Sequence, residues 1–192
     1  MIAIIDYNAG NVSSVQNALK RLGYESIITR DKDEILSADK VILPGVGEAS
    51  TAMSYLKEYE LDTFIKEIKQ PFLGICLGMQ LMCTSSEEGT TDCLGIFNAR
   101  VKLFPPKEKV PHIGWNSLYK LKGGLFKNIN APEDVYFVHS FYAELCEETS
   151  AECNYIFSFS AALQKDNFYA TQFHPEKSAT VGEQILKNFL AL

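Results

Sequence analysis

The chain has 192 residues, 46% of them hydrophobic and 22% charged, enough to bury a core and unlike a disordered segment. With 18 Lys and Arg against 24 Asp and Glu, the formal net charge is -6, which argues against gripping a nucleic-acid backbone. Its 5 cysteines include no CxxC pair and no histidine at metal-ligand spacing, so they indicate no metal site and a reducing, cytoplasmic setting.

In chain order, residues 2–6 are a short apolar run that reads as a buried strand, without the basic flank or cleavage site of a signal peptide. A turn containing Gly10 follows. Val12, Val15, Leu19 and Leu22 then recur at helical spacing up to Gly23. Residues 25–29 predict a strand, 31–37 a short helix and 41–43 a strand broken by Pro44-Gly45-Val46-Gly47. A long helix is predicted over 48–69, stopped by Pro71, and a strand over 72–75. This alternation predicts an α/β fold with a mostly parallel central sheet flanked by helices. The second half differs. Strands are predicted at 99–104, 115–121, 135–138, 155–160 and 168–173, as an antiparallel extension of the same sheet, and a closing helix over 178–192. With no repeat or linker, the chain reads as one domain, 1–192. Its most apolar stretch, 70–86, contains Pro71, Gly74, Gly78 and Gln80 and falls short of the about 20 apolar residues of a membrane span.

Gly74-Ile75-Cys76-Leu77-Gly78 lies where a predicted strand runs into a helical pattern. It has the form of the G-x-nucleophile-x-G elbow, with Cys where other hydrolases carry Ser. The glycines let backbone pack closely around a strained residue. The turn lifts the side chain clear of the sheet, and the following helix points free N–H groups at the sulfur, which favours thiolate. The amide of Leu77 is then placed to stabilise an oxyanion on a carbonyl attacked by Cys76. A cysteine nucleophile needs a base. His174 opens His174-Pro175-Glu176, and in an extended segment residues i and i+2 face the same way. Glu176 is therefore expected to hold one imidazole nitrogen while the other faces the thiol. A buried core cysteine and a surface turn are the plain alternatives for either segment alone; the two together favour a triad.

With Met79 and Gln80 extending the elbow, and with His174-Pro175-Glu176, the chain resembles the class I triad glutamine amidotransferases. Asp6-Tyr7-Asn8-Ala9-Gly10-Asn11, Pro44-Gly45-Val46-Gly47, His112-Ile113-Gly114-Trp115-Asn116 and Val138-His139-Ser140 narrow the resemblance to the glutaminase subunits of imidazole glycerol phosphate synthase. It covers essentially the whole chain and implies a flavodoxin-like fold. It also implies that Cys76, His174 and Glu176 hydrolyse glutamine to glutamate and ammonia through a thioester. The implied partner is a (β/α)8-barrel cyclase, bound as a heterodimer, which uses the ammonia to turn PRFAR into imidazole glycerol phosphate and AICAR in histidine biosynthesis.

By the same resemblance, the oxyanion donors are the amides of Leu77 and Val46. Gly45, Gln80, Ser140 and Phe141 match positions around the substrate, and Glu88 is an acid available to its ammonium group. Asn8, Asn11, Trp115 and Asn116 are the exposed-loop candidates for the partner interface. Two departures stand out: Asn8-Ala9 replaces a more usual Gly-rich pair, and Phe141 intervenes between Ser140 and Tyr142. Activity is expected to be low in isolation, because the segment 44–47 must hold a donor pointing correctly. No cofactor, metal, nucleic acid or membrane partner is expected. Three other readings stay open: a subunit feeding ammonia to a different synthase, a silent scaffold, and a small cysteine hydrolase on a similar sheet.

Overall fold

The computed structural model describes residues 1–8 and 10–192. Ala9, part of the first-loop motif, lies outside the described residues. The strand β1 (Ile2–Ile5) is wholly buried, and its side chains alternate between two cores. Ala3 and Ile5 enter one core, Ile2 and Ile4 the other. Helices cover both faces of the sheet, which is why the strand reads as an unbroken apolar run.

Helix α1 (Val12–Arg21) turns Val15, Ala18 and Leu19 inward and ends before Gly23, at φ 84°. β2 (Ser26–Thr29) follows, then α2 (Lys32–Ser37), whose first amides at Asp33 and Glu34 donate to the Asp31 carboxylate. After β3 (Lys40–Leu43) the single long helix expected over 48–69 is two helices, α3 (Ala49–Glu58) and α4 (Leu61–Glu67). The break is at Glu60, which takes φ 54°. No Gly or Pro marks it, so periodicity runs across it. β4 (Phe72–Ile75) leads into α5 (Leu77–Met82).

The second half adds β5 (Ser85–Ser86), β6 (Thr91–Asp92), β7 (Arg100–Leu103), β8 (His112–Tyr119), β9 (Glu133–His139), β10 (Phe141–Ala143), β11 (Thr149–Tyr155), β12 (Phe157–Lys165) and β13 (Phe168–Thr171), before the final helix α6 (Ala179–Leu190). The strand expected over 155–160 instead straddles a turn at Ile156, φ 64°, that joins β11 to β12. β11 carries Glu152 and Asn154 among small residues, too polar to read as a strand without its neighbours.

The strands β2-β1-β3-β4-β13 are parallel neighbours in that order, the flavodoxin-like arrangement. β12 continues antiparallel to β13, and β10 and β7 extend it, while β11, β8 and β9 branch from β12. β4 and β13 place the site. Their register sets Thr171 opposite Ile75, so both chains leave the carboxyl edge of the sheet side by side. Ligands of open parallel sheets bind at that edge.

Candidate active site

Cys76 is the first residue past β4 and takes φ 55° and ψ −107°, outside the regions open to ordinary residues. Tertiary packing imposes the turn. The Cys76 amide donates to the Thr171 carbonyl at 2.7 Å, and a Cβ on Gly78 would lie 1.9 Å from the Leu43 carbonyl oxygen. Only glycine lets α5 start so close to the end of β3. The sulfur opens on a cleft of about 300 Å³ lined also by Val46, Gly47, Leu77, Gln80, Glu88 and His139. Burial pushes the other four thiols up, Cys93 to about 11 and Cys153 to about 12, with Cys83 and Cys146 also raised. Burial thus disfavours the thiolate form at these four positions.

His174 leaves β13 in an extended conformation and is fully buried; its amide donates to the Tyr136 carbonyl at 3.0 Å. Nδ1 lies 2.8 Å from Glu176 Oε1. The contact arises differently from the sequence expectation. Residues 175–177 form a 3-10 turn, and that turn, not a continued strand, folds Glu176 back onto the ring. Among the described residues Nε2 has no hydrogen-bond partner, which leaves it available to the nearby sulfur. Burial is the largest influence on His174 and lowers its pKa; for the protonated ring, hydrogen bonding to, and the negative charge of, the Cys76 sulfur as thiolate and the Glu176 carboxylate outweigh it and lift the pKa to about 9. Burial likewise opposes ionisation of Glu176, but His174 and the Asn11 amide hold its pKa below the usual carboxylate value.

Asn11, expected at the partner interface, instead serves this pair. Its Nδ2 donates to Glu176 Oε1 at 2.6 Å and lies 3.3 Å from His174 Nδ1. Asn11 holds φ 74° at the head of α1, a conformation asparagine tolerates. Asn8 is exposed. Gly10 packs on the oxyanion segment, since a Cβ there would meet Val46 Cγ2 at 2.8 Å.

Of the two expected oxyanion donors, one is occupied and the other points away. Leu77 N–H donates to the Gly45 carbonyl at 3.3 Å. The Gly45 C=O and the Val46 N–H belong to one planar trans peptide and point oppositely, so the Val46 amide faces away from Leu77. Gly45 itself does not line the cleft. It is pressed against Tyr7, whose hydroxyl is buried without a partner among the described residues and would lie 1.8 Å from a Cβ at position 45.

Gln80 is buried rather than on a helix surface, with Nε2 donating to the Phe141 carbonyl at 3.1 Å and to Gln172 Oε1 at 3.0 Å. Glu88 lines the cleft, but one carboxylate oxygen already accepts from the Ala49 amide at 2.8 Å, capping α3. Burial raises its pKa, and Glu48 adds to the rise. Ser140 and Phe141 line the same cleft. Trp115 and Asn116 lie on β8, not on a loop. Trp115 and Ile113, two apart on one face, are each 54% exposed, whereas Asn116 Nδ2 turns in toward His112 and the Asn154 carbonyl.

Sequence reasoning missed Gln172 and the two other histidines as parts of the site. Gln172 Nε2 lies 3.7 Å from Cys76 Sγ. Its signal was its place two residues before His174 on an extended segment. His112 Nδ1 and His139 Nε2 are 2.9 Å apart, and burial lowers their pKa values to about 4 and about 3. Nothing local marked the second role of Asn11, because Glu176 reaches it only through the tertiary fold.

The glutamine amidotransferase class-I family profile matches residues 3–192. The chain is 63% identical over 194 residues to imidazole glycerol phosphate synthase subunit HisH of Bacteroides fragilis, covering 100% of this chain and 99% of that one. It is 47% identical over 194 residues to the subunit of the same name from Escherichia coli, again covering 100% and 99%. Among solved structures it superposes on a glutamine amidotransferase with a TM-score of 0.77 at 21% identity, covering 100% of this chain and 98% of the other. It also superposes on PurLQS from Thermotoga maritima with a TM-score of 0.73 at 15% identity, covering 99% and 97%. The two structural likenesses carry the fold alone.

Proposed function

The chain belongs to the class-I glutamine amidotransferases and, within them, to the HisH subunits of imidazole glycerol phosphate synthase, and from that premise we propose how its own residues divide the reaction. Cys76 is the nucleophile. Its sulfur attacks the side-chain carbonyl carbon of glutamine bound in the cleft. His174, carrying a proton on Nε2, gives it to the departing nitrogen, so ammonia leaves and a thioester remains. A water molecule loses a proton to the now free His174 Nε2 and attacks the thioester, so that glutamate is released and the Cys76 thiolate is restored. Glu176 holds His174 Nδ1–H and so fixes the tautomer, while Asn11 holds Glu176.

The observation that carries this reading is the convergence at one sheet edge of a strained, cleft-facing Cys76 and a buried His174–Glu176 pair. The tie between Leu77 and Gly45 supports low activity in the isolated chain. Rotating the Gly45–Val46 peptide frees the Leu77 amide and brings the Val46 amide round in one movement. Free ammonia at neutral pH becomes ammonium and loses its nucleophilicity, so a sealed partner is chemically useful. A (β/α)8-barrel cyclase docks over this edge, with Trp115, Ile113 and Asn8 as anchors. Trp115 stands opposite Tyr136, whose carbonyl holds the His174 amide. Gly10 connects the first loop to Val46.

The test is to mix the chain with the cyclase and PRFAR and to follow both glutamate and imidazole glycerol phosphate. Glutamine-dependent product in equal amounts is expected. Glutamate release without product would point to a different acceptor, and no turnover at all would point to a silent scaffold.

A further inference from the structure

Two polar side chains, Gln80 and Gln172, run from a backbone carbonyl to the nucleophilic sulfur, and their orientations are not free. The Phe141 carbonyl can only accept. The group of Gln80 that faces it at 3.1 Å is therefore the amide nitrogen. That same nitrogen spends its second hydrogen on Gln172 at 3.0 Å, so the Gln172 atom there is the oxygen. The Gln172 nitrogen is thereby turned to Cys76 Sγ, 3.7 Å away. The carbonyl at the origin is itself held. His139 Nδ1, 2.7 Å away, fills its other lone pair, which leaves His139 Nε2 to accept from His112 Nδ1. His112 Nε2 then accepts from Asn116 at 3.3 Å. Both histidines are buried and neutral at physiological pH, so neither tautomer has a reason to change. Gln172 is wholly inaccessible to water, and its backbone amide is fixed to the Ala161 carbonyl at 2.8 Å.

We propose that Gln172 is a positioning residue for the nucleophile: its side-chain N–H is aimed at the Cys76 sulfur by a chain of amides anchored on Phe141, and it hydrogen-bonds the thiolate. The assignment rests on Cys76 being the nucleophile and adds what holds the sulfur in place. A pair of glutamines buried only for packing would satisfy each other and leave the sulfur indifferent. Here Gln80 turns the donor of its neighbour outward to the sulfur. A donor on sulfur favours thiolate over thiol, and a buried amide is worth more there than water would be. The arrangement also leaves Gln80 only its oxygen for the bound glutamine, since both hydrogens of its nitrogen are committed.

The experiment compares the full chain with Gln172→Met and Gln172→Leu, measuring alkylation of Cys76 by iodoacetamide across pH, with the labelled residue located by peptide mass mapping. Gln172→Met stays close to glutamine in length and volume, adds no charge and loses the donor, so it tests the donor where the leucine variant fails to fold. Both profiles are expected to move to higher pH by about one unit or more, with alkylation at pH 7 about tenfold slower. With cyclase and PRFAR present, kcat for glutamine falls about tenfold and KM changes little. A profile for folded Gln172→Met that overlays the unmodified chain overturns the proposal. Cys76→Ala, run in parallel, separates the two claims: glutamine turnover retained there removes the nucleophile assignment, whatever the Gln172 variants do.

Discussion

The amide of Leu77 donates to the carbonyl of Gly45, closing the site where a tetrahedral oxyanion needs two donors. Both donors are lost together, because the carbonyl that occupies Leu77 shares its peptide plane with the amide of Val46. Loss of one such donor costs about 10²–10³ in rate elsewhere. Glutaminase turnover by the isolated chain is therefore expected to be at least about a hundredfold below that of the complex with cyclase and nucleotide. Equal rates for the two, measured as glutamate release, would remove the need for a peptide rotation.

Cys76→Ala separates the two half-reactions. Glutamine-dependent synthesis in the complex should fall about a thousandfold or more, while synthesis from added ammonium salts should persist. The acceptor chemistry belongs to the partner and does not need the sulfur. His174→Ala should follow the same pattern, and Glu176→Ala should lose less, since an orienting group is partly dispensable. Loss of the ammonium-dependent rate in these variants would point to a failed interface instead.

Asn11 and Trp115 come from motifs read together as interface, yet they occupy different environments. Asn11 is bonded to Glu176, whereas Trp115 is half exposed and packs only edge-on against Tyr136, with ring centroids 6.1 Å apart. Asn11→Ala should lower kcat about tenfold at saturating cyclase with little change in affinity. Trp115→Ala should weaken cyclase binding about tenfold or more and leave the rate of the assembled complex nearly intact. Calorimetric titration beside turnover distinguishes the two outcomes, and the reverse pattern would exchange the assignments.

Stability should peak near pH 6.5. His174 in the folded chain titrates at about 9, above its ordinary value of 6.5, so its contribution is complete below 6.5 and is lost as pH rises through 9. His112 and His139 titrate at about 4 and about 3 when folded, so the unfolded chain binds more protons from 6.5 downward and stability falls as pH drops toward those values. Urea titrations between pH 4 and 9 would trace both flanks. Replacing His174 by Ala should flatten the alkaline flank and leave the acid one. An alkaline flank unchanged in that variant would contradict the raised value.

The chemistry was legible where it lies in contiguous sequence. Gly74 to Gly78 announced a strained elbow, and the strand spacing announced a parallel sheet, because backbone sterics and hydrophobic periodicity are local properties. Even there the physical reason shifted: Glu176 meets His174 through a 3-10 turn, and Gly78 is required by the Leu43 carbonyl, a contact invisible from the elbow itself.

By itself, then, the amino-acid sequence determined the fold class, the elbow and the identities of the three candidate reacting residues. The tertiary structure alone decided the direction of polar groups. It decided that the Leu77 amide is occupied, that Asn11 turns to Glu176, and that Gln172 aims a donor at Cys76. Hydrogen bonds are directional and link residues far apart in the chain. Which way an amide or a peptide plane points is therefore set only when the strands β4 and β13 and the first loop come together.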